Sequence, residues 1–133
     1  MDSKIVQRYK TKSIPQLIKI ATVHFNKYIR QRDEGKGCVS CGAYNFSDAG
    51  HFYSAGHYPN LRFNEDNVHG QCKRCNLFLS GNLNEYRKRI PERIGDDGLA
   101  KLDDFADIYK RTSFKQDRFT LINIIETYKK KNK

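Results

Sequence analysis

Two Cys-x-x-Cys pairs constrain this chain more than any other feature. Cys38-Val-Ser-Cys41 and Cys72-Lys-Arg-Cys75 lie about thirty residues apart. A Cys-x-x-Cys turn presents two thiolates on one side of a tight loop, and two such turns can close a tetrahedron on one ion. Gly42, directly after the first pair, permits the backbone to fold around the metal. The expectation is a structural Zn²⁺ held by Cys38, Cys41, Cys72 and Cys75. A staple of this kind matters here, because 133 residues with 38% hydrophobic content build only a modest core. A disulfide framework is disfavoured. Residues 1–13 carry no apolar signal-peptide core, and no stretch nears the roughly 18 apolar residues of a membrane span. A cytoplasmic location with reduced thiols, and no membrane partner, is therefore expected.

The segments around the cysteines read as one mostly helical α+β domain. Residues 1–12 read as a flexible basic arm. Within 13–35, Ser13 can cap a helix, Pro15 suits its first turn, and Leu17, Ile18, Ala21, Phe25, Tyr28 and Ile29 share one face. Residues 36–82 hold all the cysteines and three of the four histidines. Two aromatic-rich runs there, 46–53 and 58–63, read as the strands of a hairpin. A helix is expected from Cys75 through Leu79, stopping at Gly81. Residues 83–128 read as C-terminal helices, the first capped by Asn82 and interrupted at Pro91. The tail, 129–133, contains Lys129, Lys130, Lys131 and Lys133, either a solvated run or a phosphate contact. A zinc knuckle, a hairpin and a second pair at a helix start together describe a treble-clef zinc core.

Charge points to the partner class. Lys and Arg number 25 against 15 acidic residues, a formal net charge of +10 with a pI near 9.5. A polyanion is the simplest partner for such a surface.

Between the cysteine pairs stand His51 in Asp48-Ala-Gly-His51, Asn67 five residues before Cys72, and Asn76 directly after Cys75. This spacing resembles the HNH (ββα-metal) nuclease motif. The longer string is more specific. Cys38-x-x-Cys41-Gly42, Asp48-Ala-Gly-His51, Leu61-Arg-Phe-Asn-Glu-Asp-Asn67-Val-His69-Gly-Gln-Cys72, Cys75-Asn76, Ser80-Gly-Asn82 and Tyr86-Arg87 resemble the NinG (Rap) family of phage recombination nucleases over roughly residues 36–95. The resemblance implies endonucleolytic cutting of branched DNA, such as Holliday junctions and D-loops, with a divalent cation, Mg²⁺ or Mn²⁺. It also implies the host cytoplasm as the place of action.

Phosphodiester hydrolysis gives these residues roles. His51 is expected as general base, since an imidazole with an ordinary pKa of about 6.5 offers a neutral base near working pH. Asn76 is the candidate ligand for the catalytic ion, and Asn67 is expected to hold the loop and orient the His51 ring. Many HNH sites carry an Asp or His just before the base, where this chain has Gly50. Asp48 and His69 are the alternatives for that missing ligand. The string Ala55-Gly56-His57-Tyr58 echoes Ala49-Gly50-His51-Phe52, and the distance to Leu61-Arg62-Phe63 assigns the family position to His51. His57, Arg62, Lys73, Arg74 and Arg87 are candidate DNA contacts, as are the rings of Tyr44, Phe46, Tyr53 and Tyr58 for unpaired bases, with core packing the alternative. A homodimer would supply the two sites that symmetric cutting needs. Two competing readings are a zinc-stabilised DNA-binding module without catalysis and an HNH nuclease of ordinary duplex DNA.

Overall fold

A computed structural model describes residues 2–133 of the chain. The elements run α1 (Ser3–Arg8), α2 (Ile14–Arg32), β1 (Asp48–His51), two 3₁₀ turns (Pro59–Leu61 and Glu65–Asn67), β2 (Val68–Gln71), a π-helical turn (Arg74–Phe78), α3 (Leu83–Arg89), α4 (Pro91–Arg111) and α5 (Arg118–Lys131). Among the described residues the architecture is mostly helical α+β, with one two-stranded sheet. No helix among the described residues is long and apolar enough to cross a membrane.

The described residues form two compact units, 2–28 with 115–133, and 29–114. In the first unit, α2 starts as its sequence dictates. Ser13 Oγ accepts from Gln16 N–H while Gln16 Oε1 accepts from Ser13 N–H, a reciprocal capping box. Leu17, Ala21 and Phe25 are buried from α2, and Leu121, Ile122, Ile125 and Tyr128 from α5. The Phe25 and Tyr128 rings meet edge to face at 4.9 Å. The expected flexible arm is instead ordered where it is described. Ser3–Arg8 is helical with Asp2 as its cap, and the Tyr9 hydroxyl donates to Glu126 at 2.6 Å. Met1 lies outside the described residues. The C-terminal helices expected over 83–128 divide between the units: α3 and α4 belong to the second, α5 to the first.

The second unit packs Val39, Phe52, Leu61, Tyr86, Ile90, Leu102 and Ala106 into one core. Its sheet differs from the expected hairpin. β1 pairs antiparallel with β2, Asp48 opposite Gln71 and His51 opposite Val68. The run 58–63 is not a strand. Pro59 has no N–H to give a ladder, and the chain there winds into the turn Pro59–Leu61. β2 is buried at all four positions and leads straight into Cys72. Val39 N–H, inside the first cysteine turn, donates to Gly70 carbonyl at 2.9 Å, so that turn and β2 are joined.

Asn82 does not cap α3 with its side chain. It sits in a left-handed conformation (φ 44°), and its Nδ2 donates to Cys75 Sγ at 3.4 Å. α4 breaks its helical geometry at Gly95 (φ 76°), which separates the turn started by Pro91 from the amphipathic run that buries Leu102 and Ala106.

Candidate functional site

The four cysteine sulfurs lie within 4.8 Å of one another. The Cys41 and Cys72 sulfurs are 3.8 Å apart. A tetrahedral zinc thiolate with Zn–S of about 2.3 Å needs S–S edges of about 3.8 Å, so the cage has nearly the size of the ion's shell. The first turn is built by Cys38 N–H to Ala43 carbonyl and Gly42 N–H to Cys38 carbonyl, both 2.9 Å, with Gly42 at φ 75°. The chemistry of the donors agrees. Burial pushes the Cys75 thiol up to about 12, helped by the neighbouring Cys72 and Cys41 sulfurs. Burial also raises the Cys38 thiol, but N–H groups of Cys72, Cys41 and Ser40 outweigh it and bring it to about 7. Four thiols this close cannot all ionise without a cation among them. The cluster could therefore hold a metal ion such as zinc.

The ribbon beside this centre carries the polar candidates. Asn76 Nδ2 donates to Asp48 Oδ2 at 3.0 Å, and Lys73 Nζ lies 3.1 Å from Asp48 Oδ1. Burial raises the Asp48 carboxyl, but the bonds from Asn76, Lys73 and Ser47 outweigh it and hold it below the usual carboxylate range. Asp48 is thus an anion, partly open to solvent, next to Asn76.

His51 ends β1. Its Nε2 meets the Arg62 carbonyl at 2.9 Å. A carbonyl only accepts, so Nε2 carries the proton and Nδ1 keeps the lone pair. Burial lowers the His51 pKa, which favours the neutral ring. In a strand, successive side chains alternate, so His51 and Ala49 occupy one face of the ribbon and Asp48 and Gly50 the other.

Asn67 is fully buried and does not touch the His51 ring. Its Oδ1 accepts from Tyr53 N–H at 2.8 Å, and its Nδ2 donates to the carbonyls of Tyr53 and Leu61 at 2.9 and 3.1 Å. It closes the loop whose next residue, Arg62, supplies the carbonyl that His51 meets. The expected steering of His51 is therefore indirect.

His69 is buried (2% exposed) and its Nδ1 lies 3.0 Å from the Tyr86 hydroxyl. That hydroxyl gives its own proton to the Gly50 carbonyl at 2.8 Å, so His69 Nδ1 must donate. Of the two alternatives for the ligand missing at position 50, the structure brings Asp48 to Asn76 and places His69 in the core. The position itself is closed: a Cβ on Gly50 would come within 1.9 Å of Gln71 Oε1. The Gln71 side chain fills that space and bonds through Nε2 to Ser40 Oγ and the Gly81 carbonyl, at 2.8 and 2.7 Å.

The remaining candidates are scattered. His57 is exposed and bonded to Ser54. Arg74 is exposed, while Arg87 grips Asp103, which also accepts from the Tyr53 hydroxyl. Among the aromatic candidates, Tyr53 and Tyr58 pack on each other at 4.8 Å and Phe46 covers Gly70, whereas Tyr44 is exposed.

Sequence reasoning missed a buried ionic clamp. Asp33, 1% exposed, accepts from Arg32 Nε at 2.8 Å and Gly70 N–H at 2.8 Å, with Arg93 Nη1 at 3.5 Å. Arg32 also donates to the carbonyls of Glu65 and Val68. The pair fixes the start of β2 to the end of α2. No periodicity flags it, because a charged dipeptide ending a helix reads as surface.

Comparison with known proteins bears on the whole of this arrangement. A family model described as Bacteriophage Lambda NinG protein matches residues 2–133. The "Protein ninG" of Salmonella phage P22 is 43% identical over 96 residues, 71% of this chain and 46% of that protein. Those of Escherichia phage lambda and Escherichia phage 933W are 42% and 41% identical over 88 residues, 65% of this chain and 43% and 44% of theirs. The chain thus spans less than half the length of these relatives. No solved structure matches it.

Proposed function

Since the chain belongs to the NinG family, we propose that it is a metal-dependent, HNH-type DNA endonuclease that cuts branched recombination intermediates such as Holliday junctions and D-loops. The observation that carries this reading is the meeting of Asp48 and Asn76, 3.0 Å apart beside the four-sulfur centre, with His51 on the same strand as Asp48. The sulfur centre is read as a structural zinc site in a treble clef, and the ribbon with the turn from Arg74 as its ββα-metal unit.

Hydrolysis needs an in-line water, a base for its proton, and charge relief at the departing 3′ oxygen. His51 takes the proton at Nδ1, while the Arg62 carbonyl fixes the ring through Nε2. Asp48 and Asn76 would hold Mg²⁺ or Mn²⁺, whose preference for oxygen donors fits a carboxylate and a carboxamide. Asn76 must rotate its carboxamide by half a turn to offer Oδ1, since it now offers Nδ2. When bound, such an ion supplies Lewis-acid relief of phosphate charge. In-line displacement puts the attacking and leaving oxygens on opposite sides of phosphorus. Asp48 opens β1 and His51 closes it, on opposite faces, so the scissile phosphate would have to lie across the strand, its attacked side toward His51 and its leaving oxygen toward the Asp48–Asn76 pair. Lys73, Arg74, His57, Arg62 and Arg87 are the proposed DNA contacts.

The test is incubation of the zinc-loaded chain with a four-way junction and a linear duplex of equal length, with Mg²⁺ or Mn²⁺. The junction should be cut and the duplex spared. Equal cutting of both would assign a duplex nuclease instead, and binding without cleavage in either ion would leave only a binding module.

A further inference from the structure

Around the π-helical turn the chain exposes an apolar run that no core needs. Phe78 is 80% exposed and Leu77 59%, with Leu79 and Leu83 also open to solvent. Isolated exposed apolar residues are ordinary, but several together mark a contact surface. The mounting is rigid. Ser80, Gly81 and Asn82 all have positive φ (50°, 93° and 44°), two of them non-glycine residues that pay for that geometry. Gly81 N–H donates to Cys75 carbonyl at 2.7 Å and Asn82 N–H to Leu79 carbonyl at 2.8 Å. The Gly81 carbonyl in turn accepts from Gln71 and Ser40. The backbone of the tip is therefore fastened to the cysteine centre, so little backbone freedom is lost on binding there.

Charge selects the occupant. Residues 72–90 contain five cations, Lys73, Arg74, Arg87, Lys88 and Arg89, and a single carboxylate, Glu85. Lys73, Arg87 and Lys88 face carboxylates, but Arg74 is exposed on the same π-helical turn as Phe78. An aromatic ring sharing a turn with such a cation fits a nucleic acid: a phosphate meets the cation and a base face meets the ring. A continuous duplex hides its base faces by stacking. Only an unpaired or unstacked base, as at a branch, can offer one.

We infer that Phe78, flanked by Leu77, is a stacking platform for an unstacked base at a DNA branch point, two residues along the chain from Asn76. This rests on the proposal that the chain acts on branched DNA, and it names the side chain that discriminates branch from duplex. The sequence contains no tryptophan, so Phe78→Trp creates a lone reporter. Binding to a four-way junction and to a linear duplex is measured by anisotropy without added divalent cation, so the readout does not depend on cleavage. Phe78→Ala should weaken junction binding roughly 5- to 10-fold and leave duplex binding, zinc content and thermal unfolding unchanged. Phe78→Trp should keep junction affinity, and its emission should be quenched by the junction and not by the duplex. Equal junction affinity for Phe78→Ala and the native chain, an emission that the junction leaves unaltered, or no DNA binding at all would overturn the inference. So would a dimer in sedimentation that Phe78→Ala dissolves without changing DNA binding, which would give this surface to a second copy. A native chain that cuts the junction while Phe78→Ala binds and cuts equally well refutes only the platform. A chain that binds through Phe78 but never cuts refutes only the nuclease reading.

Discussion

The His69 ring is lowered to a pKa of about 3, first by burial and then by the cations of Arg32, Arg93 and Lys36, with Asp33 opposing them. Unfolded, the same ring titrates near 6.5. Above that pH both states are neutral and nothing is gained or lost. As pH falls from about 6.5 toward 3, only the unfolded chain takes up the proton, so stability drops by up to roughly 1.4 kcal/mol per pH unit from this group. His69→Gln can still donate to Tyr86 but cannot charge. Urea unfolding of the zinc-loaded protein between pH 6.5 and 5 should show a shallower loss of stability in that variant than in the native chain, and parallel curves would contradict the account. Gly50 makes a second residue-scale case. Its Cβ would strike Gln71 Oε1, whose amide is fastened to Ser40 and Gly81. Gly50→Ala should cost about 1–3 kcal/mol in unfolding free energy. The sequence could show that position 50 lacked an acidic side chain, but the reason was out of its reach. Gln71 lies 21 residues on, and only the strand register brings it there.

At the scale of elements, legibility followed periodicity. α2 and α5 were readable because their buried residues recur at helical spacing and Ser13 caps the first of them. The cysteine turns were readable because Cys-x-x-Cys has one geometric use at this spacing. The strand partner was not. Two aromatic runs close in sequence suggested a local hairpin, yet Pro59 bends the second into a turn and the four buried residues before Cys72 take its place. Asn67 organises the connection between the strands through three side-chain hydrogen bonds. Asn67→Ala should destabilise the protein by at least about 2 kcal/mol in denaturant unfolding. It should also slow cleavage, because the Arg62 carbonyl that holds His51 loses its support. Cys72→Ser should abolish tight zinc binding by elemental analysis and unfold the unit of residues 29–114, since metal affinity and folding are the same free energy there. A folded chain that contains no zinc would contradict the sulfur centre as described.

For the whole molecule the net charge of +10 sets the behaviour. DNA affinity should fall steeply with salt, about a thousandfold between roughly 50 and 200 mM if six phosphates are contacted, and a flat salt titration would argue against a phosphate-dominated interface. Many of the surface cations already hold acidic partners, as Lys73 holds Asp48 and Arg87 holds Asp103. Exposed pairs of this kind are worth little, so a phosphate can displace them. Charge and composition point to a polyanion partner, which the salt titration tests, whereas the division into two compact units left no mark in the sequence, because its boundary after Tyr28 falls inside one helical pattern. All of the proposed chemistry depends on one imidazole. The most direct measurement is cleavage of a four-way junction in Mg²⁺ by the zinc-loaded chain and by its His51→Ala variant, with junction affinity measured alongside. The variant should bind as tightly and cut about 10²- to 10⁴-fold more slowly. Equal cutting by both proteins would contradict it.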